Sequence, residues 1–430
     1  EMCIRDRVSV TQTTLLNNCH LVVVANVLRP VWSSQVKREL DRCDYITRYK
    51  PSEDFIKKLS ASPVAEAIIE AEGAKAAAAA ARKTDGKKVS TLNIPKLRDA
   101  RWSGGPKSKQ TTLILTEGDS AMTFAVSGLA ELGFDKFGAF PLKGKLLNTR
   151  EASVKQISGN TEICNIKKIL GLQDGVDSVD DLRYGRVIIL SDQDADGAHI
   201  RGLFLNFMHT KWPNITKSGY ICVVPTPIVR VQRGATVKDF YSVNEYKEWD
   251  EVENRSGWRV SYYKGLGGWT SADARKILKN TQPVRFIGSD ETDTAIELAF
   301  DKKKAEERKK WIVDTVANPP EPLAYTSDIP IHTFINTDLA SFAVYSVERS
   351  VPTLMDGFKP SQTKVLHTVL EGGFTSAAKR IKTAQLGART AEKTHYAHGE
   401  KSLFEAITGL CQGFAGANNV PVLYGDGQFL

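Results

Sequence analysis

Short runs of β-branched and aliphatic residues recur along the chain, each closed by a polar turn. Thr111–Thr116 (Thr-Thr-Leu-Ile-Leu-Thr) and Arg186–Leu190 (Arg-Val-Ile-Ile-Leu) predict buried strands, as does Leu21–Leu28. Ser33 and Ser34 offer N-caps to a predicted helix carrying Gln35, Lys37, Arg38 and Glu39. Pro51–Ala81 predicts helix, with a half-formed capping box at Ser52–Phe55 and a strong helix former in Ala74–Ala81. Thr84–Lys88 ends it and opens a basic, flexible link to Lys109. From Thr111 to about Gln232 strand and helix patterns alternate, which predicts an α/β domain with a largely parallel sheet. The stretch from Glu245 to Asn318 is mixed and predicts one long charged helix over Thr294–Asp314. Pro319-Pro320-Glu321-Pro322 reads as a stiff linker, and 328–430 as helix-rich.

Composition narrows the class. A chain of 430 residues, 41% hydrophobic and 25% charged, accommodates two to four globular domains and is neither collagenous nor wholly disordered. No apolar run approaches the ~18 residues of a membrane span, and no secretory signal pattern opens the sequence. The six cysteines are scattered, which predicts a reducing compartment and neither a disulfide framework nor a zinc cluster. A net charge of +8 is compatible with a nucleic-acid partner, as with many others. The polar opening Glu1–Arg7 and the end after a Gly-Asp-Gly turn read as those of a piece of a longer polypeptide.

The chemistry concentrates behind two predicted strands. Glu117-Gly118-Asp119-Ser120-Ala121 follows the first, so Glu117 falls at the carboxyl end of a parallel strand, and Asp119 or Ser120 is placed to cap the next helix. Ser191-Asp192-Gln193-Asp194-Ala195-Asp196-Gly197 follows the second, and three carboxylates at alternate positions of an extended segment share one side. Four carboxylates at one sheet end call for a cation, and oxygen-only donors suit Mg²⁺ or Mn²⁺. The competing reading is a solvated acidic turn. An EF-hand is excluded because a strand precedes the segment and Leu203 stands where the loop needs Glu; a P-loop at Gly144-Lys145 lacks its first glycine.

These two segments resemble the Toprim domain. Phe140–Asn148 (Phe-Pro-Leu-Lys-Gly-Lys-Leu-Leu-Asn), Asn165–Leu172, Tyr262–Gly267 and Ile296–Phe300 extend the resemblance to type IIA DNA topoisomerases. Arg349–Pro360 resembles the opening of their winged-helix cleavage domain, and its presence on the same chain is the eukaryotic and large-virus pattern. The resemblance implies five segments: the end of a transducer region (8–50), a helical and basic linker (51–109), a Toprim metal-binding domain (110–235), a Toprim-associated extension (236–322) and a winged-helix part (323–430).

By the same resemblance, Glu117, Asp192 and Asp194 are catalytic. With Asp196 they would hold Mg²⁺ at a DNA phosphate attacked by a tyrosine, and that tyrosine would follow the Gly427-Gln428-Phe429 segment. Lys143, Lys145, Asn148, Lys264, Lys302, Lys303, Lys359, Tyr396, His398 and Ser402 are implied DNA contacts. Gln35 and Lys37 match a loop that reaches ATP in the full-length enzyme, although Lys37 read alone is an exposed helix lysine. Implied partners are duplex DNA and, in the full-length enzyme, a second copy. The implied location is the nucleus for a eukaryotic source, or the cytoplasm or a viral replication site for a viral one. The alternatives are a DNA-binding module whose acidic cluster is structural, and a Toprim primase or nuclease.

Overall fold

The computed structural model describes residues 85–427 except 242, 254–255, 264, 377–378, 397 and 415–419, and before them 31–32, 40–42, 52–60, 65, 68 and 79. The predicted strand at 21–28, the predicted helix carrying Gln35 and Lys37, and Lys264 lie outside these residues. Val31–Trp32 and Leu40–Arg42 form a short antiparallel ladder. Glu53–Ser60 is the described part of the predicted 51–81 helix, and its Phe55 amide donates to Ser52 Oγ at 3.2 Å.

The predicted α/β domain is present. Its elements run β1 (Thr112–Glu117), α1 (Gly118–Leu132), β2 (Phe137–Leu142), α2 (Thr161–Leu170), β3 (Arg186–Leu190), α3 (Ala195–Lys211) and β4 (Ser218–Val223). Three antiparallel strands follow, β5 (Val229–Arg233), β6 (Thr236–Phe240) and β7 (Arg259–Tyr262), then helix α4 (Ser271–Asn280), β8 (Val284–Ile287) and, later, β9 (Ile329–Pro330). The main sheet has the order β9-β8-β4-β3-β1-β2. Neighbours from β4 to β2 are parallel, β8 lies antiparallel to β4, and β9 parallel to β8.

Both faces of the sheet are covered, so its strands are apolar at every position rather than alternating. Leu113, Leu115, Val187 and Ile189 point into a core with Ile163 and Ile166 of α2 and Phe204 and Phe207 of α3. Ile114, Ile188 and Leu190 point the other way, against Ala125 and Leu129 of α1 and Ile277 and Leu278 of α4. Strands β5–β7 form a separate sheet around Phe240, Tyr246 and Trp249.

Two expectations need correction. The long charged helix is two, α5 (Thr292–Phe300) and α6 (Ala305–Ala317). Asp301 leaves helical geometry between them, and its carboxylate accepts from the Lys303 amide at 2.8 Å, starting a new turn. The segment 85–109 is not a loose link. Arg98 bridges Ala139 of β2, Gly86 N donates to Leu172 O at 2.9 Å, and Asp99 pairs with buried Arg183 at 2.6 Å. The last part holds α7 (Ala340–Ser350), α8 (Pro360–Glu371), α9 (Thr383–Thr394) and α10 (Glu400–Cys411). Helices α8–α10 close on Val365, Leu386, Leu403 and Ile407.

Candidate metal and nucleic-acid site

Strands β1 and β3 are adjacent and parallel, so the segments leaving their carboxyl ends meet. Glu117 ends β1, and Gly118 follows at φ +84°, a conformation that favours glycine. The Asp192 amide donates to Glu117 Oε2 at 3.3 Å. The other side of Asp192 is closed by the Tyr-Lys-Gly-Leu-Gly segment, whose Leu266 amide donates to Asp192 Oδ1 at 2.8 Å. A Cβ at Gly265 would stand 2.1 Å from Asp192 Oδ2, so only glycine lets this backbone reach the carboxylate.

The three aspartates do not lie along one extended face, because α3 begins at Ala195. Asp194 is its N-cap and accepts from Gly197 N at 2.8 Å. Asp196 is in the first turn and turns to a different neighbourhood. Its carboxylate receives the Arg349 fork from α7, Nη1 to Oδ2 and Nη2 to Oδ1, both at 2.8 Å, and Lys145 Nζ at 2.5 Å. These donors, Arg349 foremost, hold its carboxyl well below the usual carboxylate range. Asp119 also departs from expectation: helix α1 already starts at Gly118, and Asp119 pairs with Lys96 at 2.7 Å instead of capping.

Glu117 shows the charge problem directly. Burial, then the charges of Asp192 and Asp194, push its carboxyl up from 4.5 to about 7. An all-carboxylate donor set with a raised member suits a hard divalent cation, and Glu117, Asp192 and Asp194 fit that role by donor chemistry. Among the described residues, no group of three His, Cys, Asp or Glu side chains is already drawn together as a metal centre.

The raised pKa has a thermodynamic consequence. Below about 4.5 Glu117 is protonated folded and unfolded; above about 7 it is charged in both, and the fold bears the repulsion. Stability is therefore lost as pH rises through this window. In the absence of divalent cations, Glu117→Gln should match wild type at pH 4 and exceed it by about 1–2 kcal/mol at pH 8, once solvent screening of a partly exposed group is allowed for. Urea unfolding at both pH values tests this; equal stability at pH 8 would refute the assigned environment.

The implied DNA contacts divide. Lys143, Lys302, Lys303, Lys359 and Ser402 are exposed. Lys145 is engaged by Asp196. The Asn148 amide is used inside the fold, donating to Phe300 O at 2.9 Å and accepting from Asn206 Nδ2 at 2.9 Å. Tyr396 is half-buried against the α8–α10 core. His398 Nε2 lies 2.9 Å from Tyr345 Oη.

Three residues of the site carry no signal of their own in the sequence. Arg349 is visible there only as part of a motif. Tyr345 lies on the same face of α7. His199 on α3 stacks on Phe342 at 4.0 Å, and burial with the Lys145 charge lowers its pKa to about 4. Its Nδ1 is buried without a hydrogen-bond partner among the described residues.

Comparison with known proteins agrees with this architecture. Residues 112–224 match the Toprim domain, 224–347 the C-terminal associated domain of TOPRIM, and 349–429 the DNA gyrase/topoisomerase IV family. The fold is thus that of a Toprim protein running into a cleavage-domain sequence. The chain belongs to the type IIA DNA topoisomerases, and similar relatives are eukaryotic. It is 40% identical to DNA topoisomerase 2-beta of Homo sapiens over 95% of its own length and 27% of that protein. It is 40% identical to human DNA topoisomerase 2-alpha over 98% of its length and 29% of that protein. The chain therefore spans less than a third of these relatives. A crystal structure of the Plasmodium falciparum topoisomerase II DNA-binding, cleavage and re-ligation domain superposes with a TM-score of 0.68 at 40% identity, covering 77% of this chain and 46% of that one. No described helix is long and apolar enough to cross a membrane.

Proposed function

We propose that this chain forms the Toprim and early cleavage-domain part of an ATP-dependent type II DNA topoisomerase, acting as a homodimer on duplex DNA in the nucleus. The observation that carries the reading is the meeting of Glu117 with the Asp192–Asp196 turn at the ends of two adjacent parallel strands, with Arg349 of the following region reaching into it.

In this reading Glu117, Asp192 and Asp194 hold Mg²⁺ or Mn²⁺. A bound divalent ion supplies Lewis-acid stabilisation of charge on phosphoryl and leaving oxygens. The Leu266 amide and Gly265 fix the Asp192 carboxylate, so one ligand is oriented before the ion arrives. Glu117, titrating near neutrality, can hold or release a proton beside the leaving 3′-oxygen of DNA, which an ordinary carboxyl could not do efficiently. Exposed Lys143, Lys302, Lys303 and Lys359 neutralise backbone phosphates, and Ser402 offers a hydroxyl. The nucleophilic tyrosine and the ATP pocket belong to the reading of the whole enzyme; Gln35 and Lys37 would meet ATP there.

A second reading, an acidic cluster serving structure alone, draws support from Asp196, whose carboxylate is already neutralised by Arg349 and Lys145. Two titrations separate the readings. Mn²⁺ calorimetry should show binding that weakens in Asp192→Asn, and equal affinity in both proteins would favour the structural reading. Duplex DNA affinity measured at several salt concentrations should fall steeply with salt, and Lys359→Ala should flatten the slope by about one. A salt-insensitive affinity would sink the DNA assignment.

A further inference from the structure

Helix α7 carries an apparatus that the sequence motifs do not explain. Phe342, Tyr345 and Arg349 fall at i, i+3 and i+7 and so share one face. Phe342 stacks on His199, and Arg349 grips Asp196. Between them, the half-buried Tyr345 lies with its ring 4.9 Å from the Arg349 guanidinium and its Oη 2.9 Å from His398 Nε2. The Tyr396 ring meets His398 edge-on at 5.4 Å. One continuous chain of contacts thus joins the Toprim acidic turn to the loop before α10: Asp196, Arg349, Tyr345, His398.

His398 is exposed and sits outside any helix or strand. An imidazole on a loop samples several rotamers and both neutral tautomers, and what fixes both is the hydrogen bond one ring nitrogen makes. Here that bond comes from a helix that is itself anchored on the Toprim domain through Asp196 and His199. We propose that Tyr345 is a positioning residue: its hydroxyl orients the His398 ring on the Toprim-anchored helix so that the imidazole meets a DNA phosphate in a preset direction. This rests on the DNA reading given above. The hydroxyl is the functional part, since the ring alone would suffice to pack under Arg349. Tyr345→Phe keeps that packing and deletes only the orienting bond.

The test uses the 430-residue chain with ¹⁵N-labelled histidine and a fluorescent DNA duplex. In Tyr345→Phe the His398 Nε2 resonance should move and duplex affinity should fall about 3–10-fold, the worth of one hydrogen bond. His398→Ala should lose at least as much, and the double variant no more than His398→Ala alone, because both changes act through one ring. An unmoved resonance, unchanged affinity in Tyr345→Phe, or additive losses in the double variant would each overturn the proposal. Lys359→Ala separates it from the reading on which it rests. If Lys359→Ala weakens binding while Tyr345→Phe does not, DNA binding stands and the role of Tyr345 falls. If the wild-type chain binds no duplex at low salt, both fall.

Discussion

Asp99→Ala should lower stability by about 3–5 kcal/mol, the range for stripping a buried charge of its partner. Arg183 has no exposed side-chain surface. Its Nη2 donates to Asp99 Oδ2 at 2.6 Å, while Nε donates to Val89 O at 2.6 Å and Nη1 to Ile169 O at 2.7 Å. The carbonyls satisfy geometry but carry no full negative charge, so Asp99 alone neutralises the guanidinium. The same carboxylate accepts from Tyr184 Oη, which in turn accepts from Ala100 N at 3.0 Å. Removing it opens a network that ties residues 85–105 to β2 and to the loop before β3. Urea unfolding should show an earlier midpoint with an unchanged slope. A loss below about 1 kcal/mol would mean that water reaches Arg183 and that the buried pair is misassigned.

That network also marks where the sequence stops being legible. The parallel sheet is readable because strands covered on both faces give uninterrupted apolar runs, as in Leu113–Leu115 and Val187–Leu190. The two acidic turns are readable because each directly follows such a run. The 85–109 segment reads as a flexible link and is not one, since its cohesion comes from Asp99–Arg183 and Lys167–Asp85, contacts between residues more than 80 positions apart. Nothing local in a basic, glycine-containing stretch announces them. The split of the charged helix at Asp301 is hidden for the opposite reason: the break is local, but one capping aspartate within a helix-favouring composition leaves the periodicity nearly intact.

In the acidic turn, alternation at 192, 194 and 196 predicts three carboxylates on one side. That expectation assumes extended backbone, and α3 begins inside the motif. A helix start rotates successive residues by about 100° rather than 180°, which sends Asp196 away from Glu117 and toward Lys145 and Arg349. Sequence separation hides this partner as well, since Arg349 lies 153 residues downstream.

Arg349→Gln should therefore move cation and DNA affinity in opposite directions. In the structure, the Asp196 carboxylate is bound by the Arg349 fork at 2.8 Å and by Lys145. A divalent ion that recruits Asp196 must displace this fork, and a phosphate that recruits Arg349 must displace the same carboxylate. The ion pair opposes each ligand separately but is broken only once when both bind. Removing the guanidinium removes the competitor for the cation, and both side chains of the pair are less than a third exposed, so the contact is stronger than an open surface pair. Mn²⁺ affinity in the absence of DNA should rise about 5–10-fold in Arg349→Gln, equivalent to about 1–1.4 kcal/mol. Duplex affinity should fall with the loss of one phosphate-facing cation, and the log–log salt slope should flatten by about one. In wild type, each ligand should tighten the other, because reciprocity is required of any shared equilibrium; in the variant that mutual enhancement should shrink toward none. Calorimetric Mn²⁺ titrations with and without a saturating duplex, together with duplex binding across a salt series, measure these quantities. Mn²⁺ affinity that falls in Arg349→Gln would show that the guanidinium supports the cation site instead of competing with it, and Asp196 would then be a member of the structural ion-pair network rather than a ligand held in reserve.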